Sequence, residues 1–239
     1  MICSIGIESN GIFFNGLLFF SDDFNGEKLD EKVWKPSYED GIRRDGRWRK
    51  DAAELDGQGH LVIKTFRDKD KYISGAIETV PELEFRYGFY IARVKTQKQR
   101  GQWSAFWLWP FDPKKDGAVE IDIFEYGFLP GMAQNALHHY QNRHASNSHR
   151  FFYTKSSYWH TFAVWWTPKN ITFYRDGKVT WKRDSTPSDS PSMIMFSTEI
   201  GKEAFGNIKR AKLPDQWWVD WVKVYTLEPK NAEYPAITK

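Results

Sequence analysis

Short apolar runs cut by turn signals constrain this chain more than any other feature. Between positions 161 and 181 it reads as two hairpins in series. Residues 161–167 are broken by Pro168-Lys169-Asn170, residues 171–175 follow, and Asp176-Gly177 leads into residues 178–181. The Asp-Gly pair supplies the positive φ that a tight hairpin turn demands. Residues 58–64 and 89–95 are Gly-led runs, and residues 193–197 and 218–225 add further β-branched and aromatic stretches. Amphipathic stripes of 3.6-residue period are nearly absent. Many short strands at turn-marked spacing predict an all-β fold, a two-sheet sandwich or jelly roll.

All-β sandwiches of 239 residues often form one domain around one core, and no repeat, low-complexity tract or linker divides this chain. We therefore expect one domain over residues 1–239, with its core at about 17–228. Lys and Arg outnumber Asp and Glu by 34 to 31, a balance that predicts no nucleic-acid partner. The single cysteine, Cys3, leaves no intrachain disulfide, so burial must stabilise the fold, with or without a bound ion. No stretch approaches the roughly 20 apolar residues of a membrane span, and residues 11–20 are interrupted by Asn15 and Gly16 and read as strand. Residues 1–10 lack the basic start of a secretory signal.

The chemistry concentrates in residues 119–125, where Glu120, Asp122 and Glu125 are interleaved with Val119, Ile121, Ile123 and Phe124. On a strand, side chains alternate faces, so Val119, Ile121 and Ile123 face the core while Glu120 and Asp122 face away. Strict alternation would then bury Glu125, where an unpaired carboxylate is very costly. A β-bulge near Ile123 and Phe124 would return Glu125 to the acidic face. Three adjacent carboxylates repel, and a structural strand has no need to collect them. Two carboxyls roughly 5 Å apart can instead divide the labour of glycoside cleavage, one attacking the anomeric carbon and the other protonating the leaving oxygen. Asp122 between them could orient Glu120. A solvated acidic edge or a cation site is the competing reading.

Upstream, residues 101–110 hold three tryptophans, and alternation places Trp103, Ala105, Trp107 and Trp109 on one face. Indole rings beside an acid row suit a carbohydrate cleft, although tryptophan is also an ordinary core residue. Of the histidines, His138, His139, His144 and His149 match no zinc spacing and read as a polar loop.

In this order the chain resembles glycoside hydrolase family 16, which includes laminarinases, lichenases, agarases and carrageenases. The resemblance runs from about Phe19 to Tyr225. It is carried by Phe20-Ser21-Asp22-Asp23-Phe24-Asn25-Gly26, Gly59-His60-Leu61, Ser74-Gly75-Ala76-Ile77, residues 87–93, the tryptophan run, residues 120–125, residues 160–168, Tyr174-Arg175-Asp176-Gly177 and residues 219–225. The Glu-x-Asp-x-x-Glu spacing is similar to the bulged form of laminarinases and agarases. The resemblance implies a jelly roll of two curved antiparallel sheets with a concave substrate cleft. It also implies Glu120 as nucleophile, Asp122 as helper and Glu125 as acid/base. Trp103, Trp107 and His138 would line the substrate, with His138 in a neighbouring strand and facing the catalytic carboxylates. Gly59, through its carbonyl, and Asp220 would hold a structural calcium ion, and no cofactor would be required for catalysis. Trp165 stands where the family often has Glu.

The expected activity is endo-cleavage of β-1,3 or mixed β-1,3/1,4 glucan by a retaining mechanism, in a monomer acting outside the cell or in the periplasm on a polysaccharide partner. A red-algal galactan hydrolase is the alternative, with Arg143, His144, His149 and Arg150 available to sulfate groups. A transglycosylase would share the catalytic residues, and a lectin-like jelly roll would bind sugar without cutting it.

Overall fold

The computed structural model describes residues 16–37, 41–115, 117–141, 144–156, 158–184 and 189–227. Two sheets face each other. The seven-stranded sheet runs in the order His144–Tyr153, Met132–Gln141, Val119–Leu129, Gln102–Pro110, Ser192–Ile200, Ala76–Thr79 and Trp34–Pro36. The eleven-stranded sheet is built along Lys178–Arg183, Ile171–Arg175, His160–Trp166, Gly88–Lys95, Asp215–Leu227, Leu61–Asp68, Lys71–Ser74, Gly46–Trp48 and Gly41–Arg43. Gly16–Asp22 pairs with Asp215–Leu227, and Ala53–Leu55 with Leu61–Asp68. Pairing is antiparallel except between Gly46–Trp48 and Lys71–Ser74. This is a jelly-roll sandwich.

Its core follows from strand alternation. Phe106, Leu108, Ile121, Ile123, Phe124 and Leu137 of the seven-stranded sheet meet Tyr90, Ala92, Val94, Phe162 and Val164 of the other, all buried. Phe124 stacks on Phe162 across the sandwich, centroids 4.4 Å apart. Burying each such ring contributes about 1.5–3 kcal/mol relative to exposing it. The turn read from Asp176-Gly177 is a two-residue hairpin with Arg175 opposite Lys178, and both central residues have positive φ, +49° and +73°. That is the type I′ geometry whose twist matches the flanking strands.

One expectation needs correction. His138 lies in Met132–Gln141, the strand next to the acid row, as the resemblance implies, but the stretch beyond it that read as a polar loop is strand as well: Met132–Gln141 pairs residue for residue with the edge strand His144–Tyr153. Its Asn, Ser and His side chains hide the strand period because an edge strand has few apolar partners to advertise it.

Candidate active site

The acid row forms as a bulge. Along Gln102–Pro110, Phe106 pairs with Phe124 and Trp107 with Asp122, leaving Ile123 without an opposite number. On the other flank Asp122 pairs with Ala136 and Glu125 with Gln134, so Asn135 alone faces both Ile123 and Phe124. Ile123 and Phe124 both enter the core, and Glu125 comes back to the side of Glu120 and Asp122. Just beyond, Gly127 has φ +140°, and a Cβ there would lie 2.2 Å from the Gln102 carbonyl oxygen, so the strand needs glycine to stay this close.

The three acids line one cleft of about 560 Å³, within the range of small-molecule sites. Each has its own partner from the neighbouring strand Met132–Gln141. The Tyr140 hydroxyl donates to Glu120 Oε2 at 2.6 Å, His138 Nε2 lies 3.0 Å from Asp122 Oδ2, and the Gln134 amide donates to Glu125 Oε2 at 2.7 Å. Asn147 in turn contacts His138 Nδ1 through its Oδ1, at 2.8 Å.

These surroundings set the protonation states. Burial, then the Asp122 charge, pushes Glu120 up to about 7, against the pull of His138, the Tyr140 hydrogen bond and Arg43. Burial, then Asp122, holds Glu125 well above the usual carboxylate range, with the Gln134 hydrogen bond working the other way. Burial also raises Asp122, opposed by His138. Burial would lower His138, but Asp122 beside it, then Glu120 and Asn147, outweigh that and hold it at about 10. The site thus keeps one imidazolium among three carboxyl groups. The Tyr140 hydroxyl and the imidazolium favour an ionised Glu120, while Glu125 has a neutral amide as its direct partner. Two acids in unlike surroundings are what acid/base chemistry requires.

Trp103, Ala105, Trp107 and Trp109 share the cleft face, as period-two alternation requires. Trp103 is only 3% exposed, with Arg44 packed over its ring at 5.0 Å and Phe128 4.9 Å away, so its faces are largely taken. Trp107 is 6% exposed and donates its indole N–H to Ser197 Oγ at 3.1 Å. Trp109 is more open and sits edge-on to Tyr140 at 6.0 Å.

Several lining residues were not found from sequence. Gln134 and Tyr140 lie at even spacing from His138, so period two along that strand was the signal that could have found them. Arg43 and Arg44 had no such signal. They reach the cleft from the distant hairpin Gly41–Arg43 and Gly46–Trp48, where both bind the buried Glu199 carboxylate, at 2.7 and 3.1 Å. Of the residues considered for sulfate, Arg143 lies outside the described residues and only the backbone of His144 is described. Arg150 pairs with Asn135, on the face away from the acids, and His149 pairs with Ala136, on the cleft side.

The calcium candidates sit on the other sheet. The Gly59 turn has φ +86° and packs near Asn25 Oδ1 and the Asp23 carbonyl. Asp220 is an unpaired bulge residue between Val219 and Trp221. Its Oδ2 pairs with Arg93, and its Oδ1 lies 3.9 Å from His60 Nε2, next to Gly59. Asp220 thus offers a carboxylate already paired with Arg93, and the Gly59 turn lies next to His60, which approaches the other Asp220 oxygen. Trp165 faces neither the core nor the cleft. It packs against Phe89, Ala163, Tyr174 and Tyr225 on the outer face of the eleven-stranded sheet.

Fold and site together define a jelly-roll sandwich that gathers an acid row in a cleft on one sheet. The chain belongs to the glycosyl hydrolases family 16, whose profile matches residues 44–223. It is 27% identical to the glucan endo-1,3-beta-glucosidase A1 of Niallia circulans, over 93% of this chain and 39% of that protein. It is also 27% identical to the keratan-sulfate endo-1,4-beta-galactosidase of Sphingobacterium multivorum, over 88% of this chain and 55% of that protein. The chain thus spans well under two thirds of these two relatives. Among solved structures, a laminarinase from Flavobacterium sp. UMI-01 superposes with a TM-score of 0.75 at 27% identity, covering 88% of this chain and all of that one.

Proposed function

We propose that this chain cleaves internal β-linkages of a glucan by retaining double displacement, with Glu120 as nucleophile and Glu125 as acid/base. The observation that carries this reading is the bulge at Ile123 and Phe124, which places a third, half-buried carboxyl beside two others. Glu120 attacks the anomeric carbon while Glu125 gives its proton to the departing glycosidic oxygen. The glycosyl ester on Glu120 is then opened by water, which surrenders a proton to Glu125 and restores both groups. Tyr140 donates to Glu120 Oε2, which draws charge from that oxygen and leaves Oε1 the better nucleophile. Asp122, paired with the His138 imidazolium, fixes the charge between the two glutamates.

β-1,3 or mixed β-1,3/1,4 glucan is the substrate class favoured by the glucanase relative and the laminarinase structure. A red-algal galactan is the second reading, favoured by the relative that acts as a keratan-sulfate endo-1,4-beta-galactosidase. Reducing-sugar release from laminarin, barley glucan, lichenan and agarose, with Glu120→Ala as control, separates them. Cleavage of the glucans supports the first reading and cleavage of agarose alone the second. Sugar binding without cleavage would make the chain a lectin-like module and refute both.

The calcium reading also stands as a proposal, with Gly59 and Asp220 as ligands whose ion adds free energy only to the folded state. Chelation with EDTA should lower Tm by a few degrees, calcium should restore it, and kcat at 25 °C should stay unchanged. An unchanged Tm rejects the site, and a lost kcat would move the ion to the cleft, where Glu120, Asp122 and His138 also lie close together.

A further inference from the structure

We propose that Asn135 is a positioning residue that holds the bulge open and thereby aims Glu125, an inference that rests on Glu125 being the acid/base. Asn135 is the single residue opposite the two-residue bulge of Ile123 and Phe124, and it is fully buried, 0% exposed. A bulge leaves one residue without its ladder partner. Here the Asn135 side chain supplies the missing donor: its Nδ2 donates to the Ile123 carbonyl at 2.6 Å. Its Oδ1 accepts from Thr180 Oγ1, also at 2.6 Å, and Thr180 belongs to Lys178–Arg183 of the opposite sheet. The Ile123 carbonyl can only accept, so it keeps the amide N–H on the bulge and leaves the amide oxygen to the Thr180 hydroxyl, which donates to it. The chain from Thr180 through Asn135 to Ile123 is therefore a strut between the sheets that ends two residues before Glu125. If the strand slipped by one residue to close the bulge, Glu125 would turn toward the core.

A core asparagine that merely satisfies a carbonyl would affect stability and nothing else. A positioning residue affects the proton delivered to the leaving oxygen. The test is Asn135→Leu, with the same heavy-atom branching and no donor, beside Thr180→Val, which leaves the amide in place but removes its second partner. Each is assayed on the polysaccharide the wild type prefers and on a 2,4-dinitrophenyl glycoside of the matching disaccharide, whose leaving group needs no proton. Asn135→Leu is expected to lower kcat on the polymer by about 100-fold with KM nearly constant, and the single-turnover glycosylation rate on the aryl glycoside by less than about 5-fold. Thr180→Val should show the same selectivity at about 10-fold. Equal losses on both substrates, or a lower Tm with kcat intact, overturn the proposal.

Should the wild type cleave no polysaccharide, the functional reading fails alone, and a crystal structure of Asn135→Leu decides the strut. Glu125 turned from the cleft upholds it, and an unmoved bulge refutes it.

Discussion

Glu120→Ala is expected to lower kcat on the preferred polysaccharide by about 10⁴-fold or more, with little change in KM. The loss should be large because the residue supplies the bond-forming atom, not a share of binding. Sodium azide should then restore turnover on an activated aryl glycoside. The small anion fits the space left by the missing carboxylate and attacks the same face of the sugar, giving a glycosyl azide of inverted anomeric configuration. Glu125 still protonates or releases the leaving group, so the rescued rate should depend on azide concentration. Absence of rescue in a folded protein would remove Glu120 from the role of nucleophile.

The second large effect is expected at Glu125. Glu125→Gln keeps the shape and the half-buried setting but has no proton to give, and should lower kcat on the polymer by about 10²–10⁴-fold. Its pH profile is the sharper readout. In the wild type, activity should rise as pH increases through about 7, where Glu120 ionises. It should fall at higher pH, where Glu125, held up by burial and by Asp122, loses its proton. The two limbs belong to the coupled acid cluster and not to either residue alone. In Glu125→Gln the alkaline limb should vanish while the acid limb stays. A variant that retains both limbs would show that another group is the acid.

Much of this site was legible in the chain itself, because the seven residues from Val119 to Glu125 state a contradiction. Their apolar positions fit one strand face until Phe124, and the only way to keep Phe124 in the core and Glu125 out of it is to insert a residue. The tryptophan face was legible for the same reason of period two, yet the cover over Trp103 was not. Arg44 comes from a hairpin far upstream, and nothing near Trp103 in sequence announces it. The strand His144–Tyr153 was misread because a polar edge strand lacks the apolar alternation that reports strand structure. Asn135 was silent as well. Its role depends on what lies across the sandwich at Thr180 and across the sheet at Ile123, two contacts that only the folded register brings together.

Proton NMR of the first minutes of polysaccharide cleavage tests the shared placement of Glu120 and Glu125 most directly. The newly formed reducing end should appear first as the β-anomer and drift toward the equilibrium mixture, since two displacements at one carbon restore its configuration. An initial α-anomer would mean a single displacement by water, with the two glutamates too far apart to share a covalent intermediate.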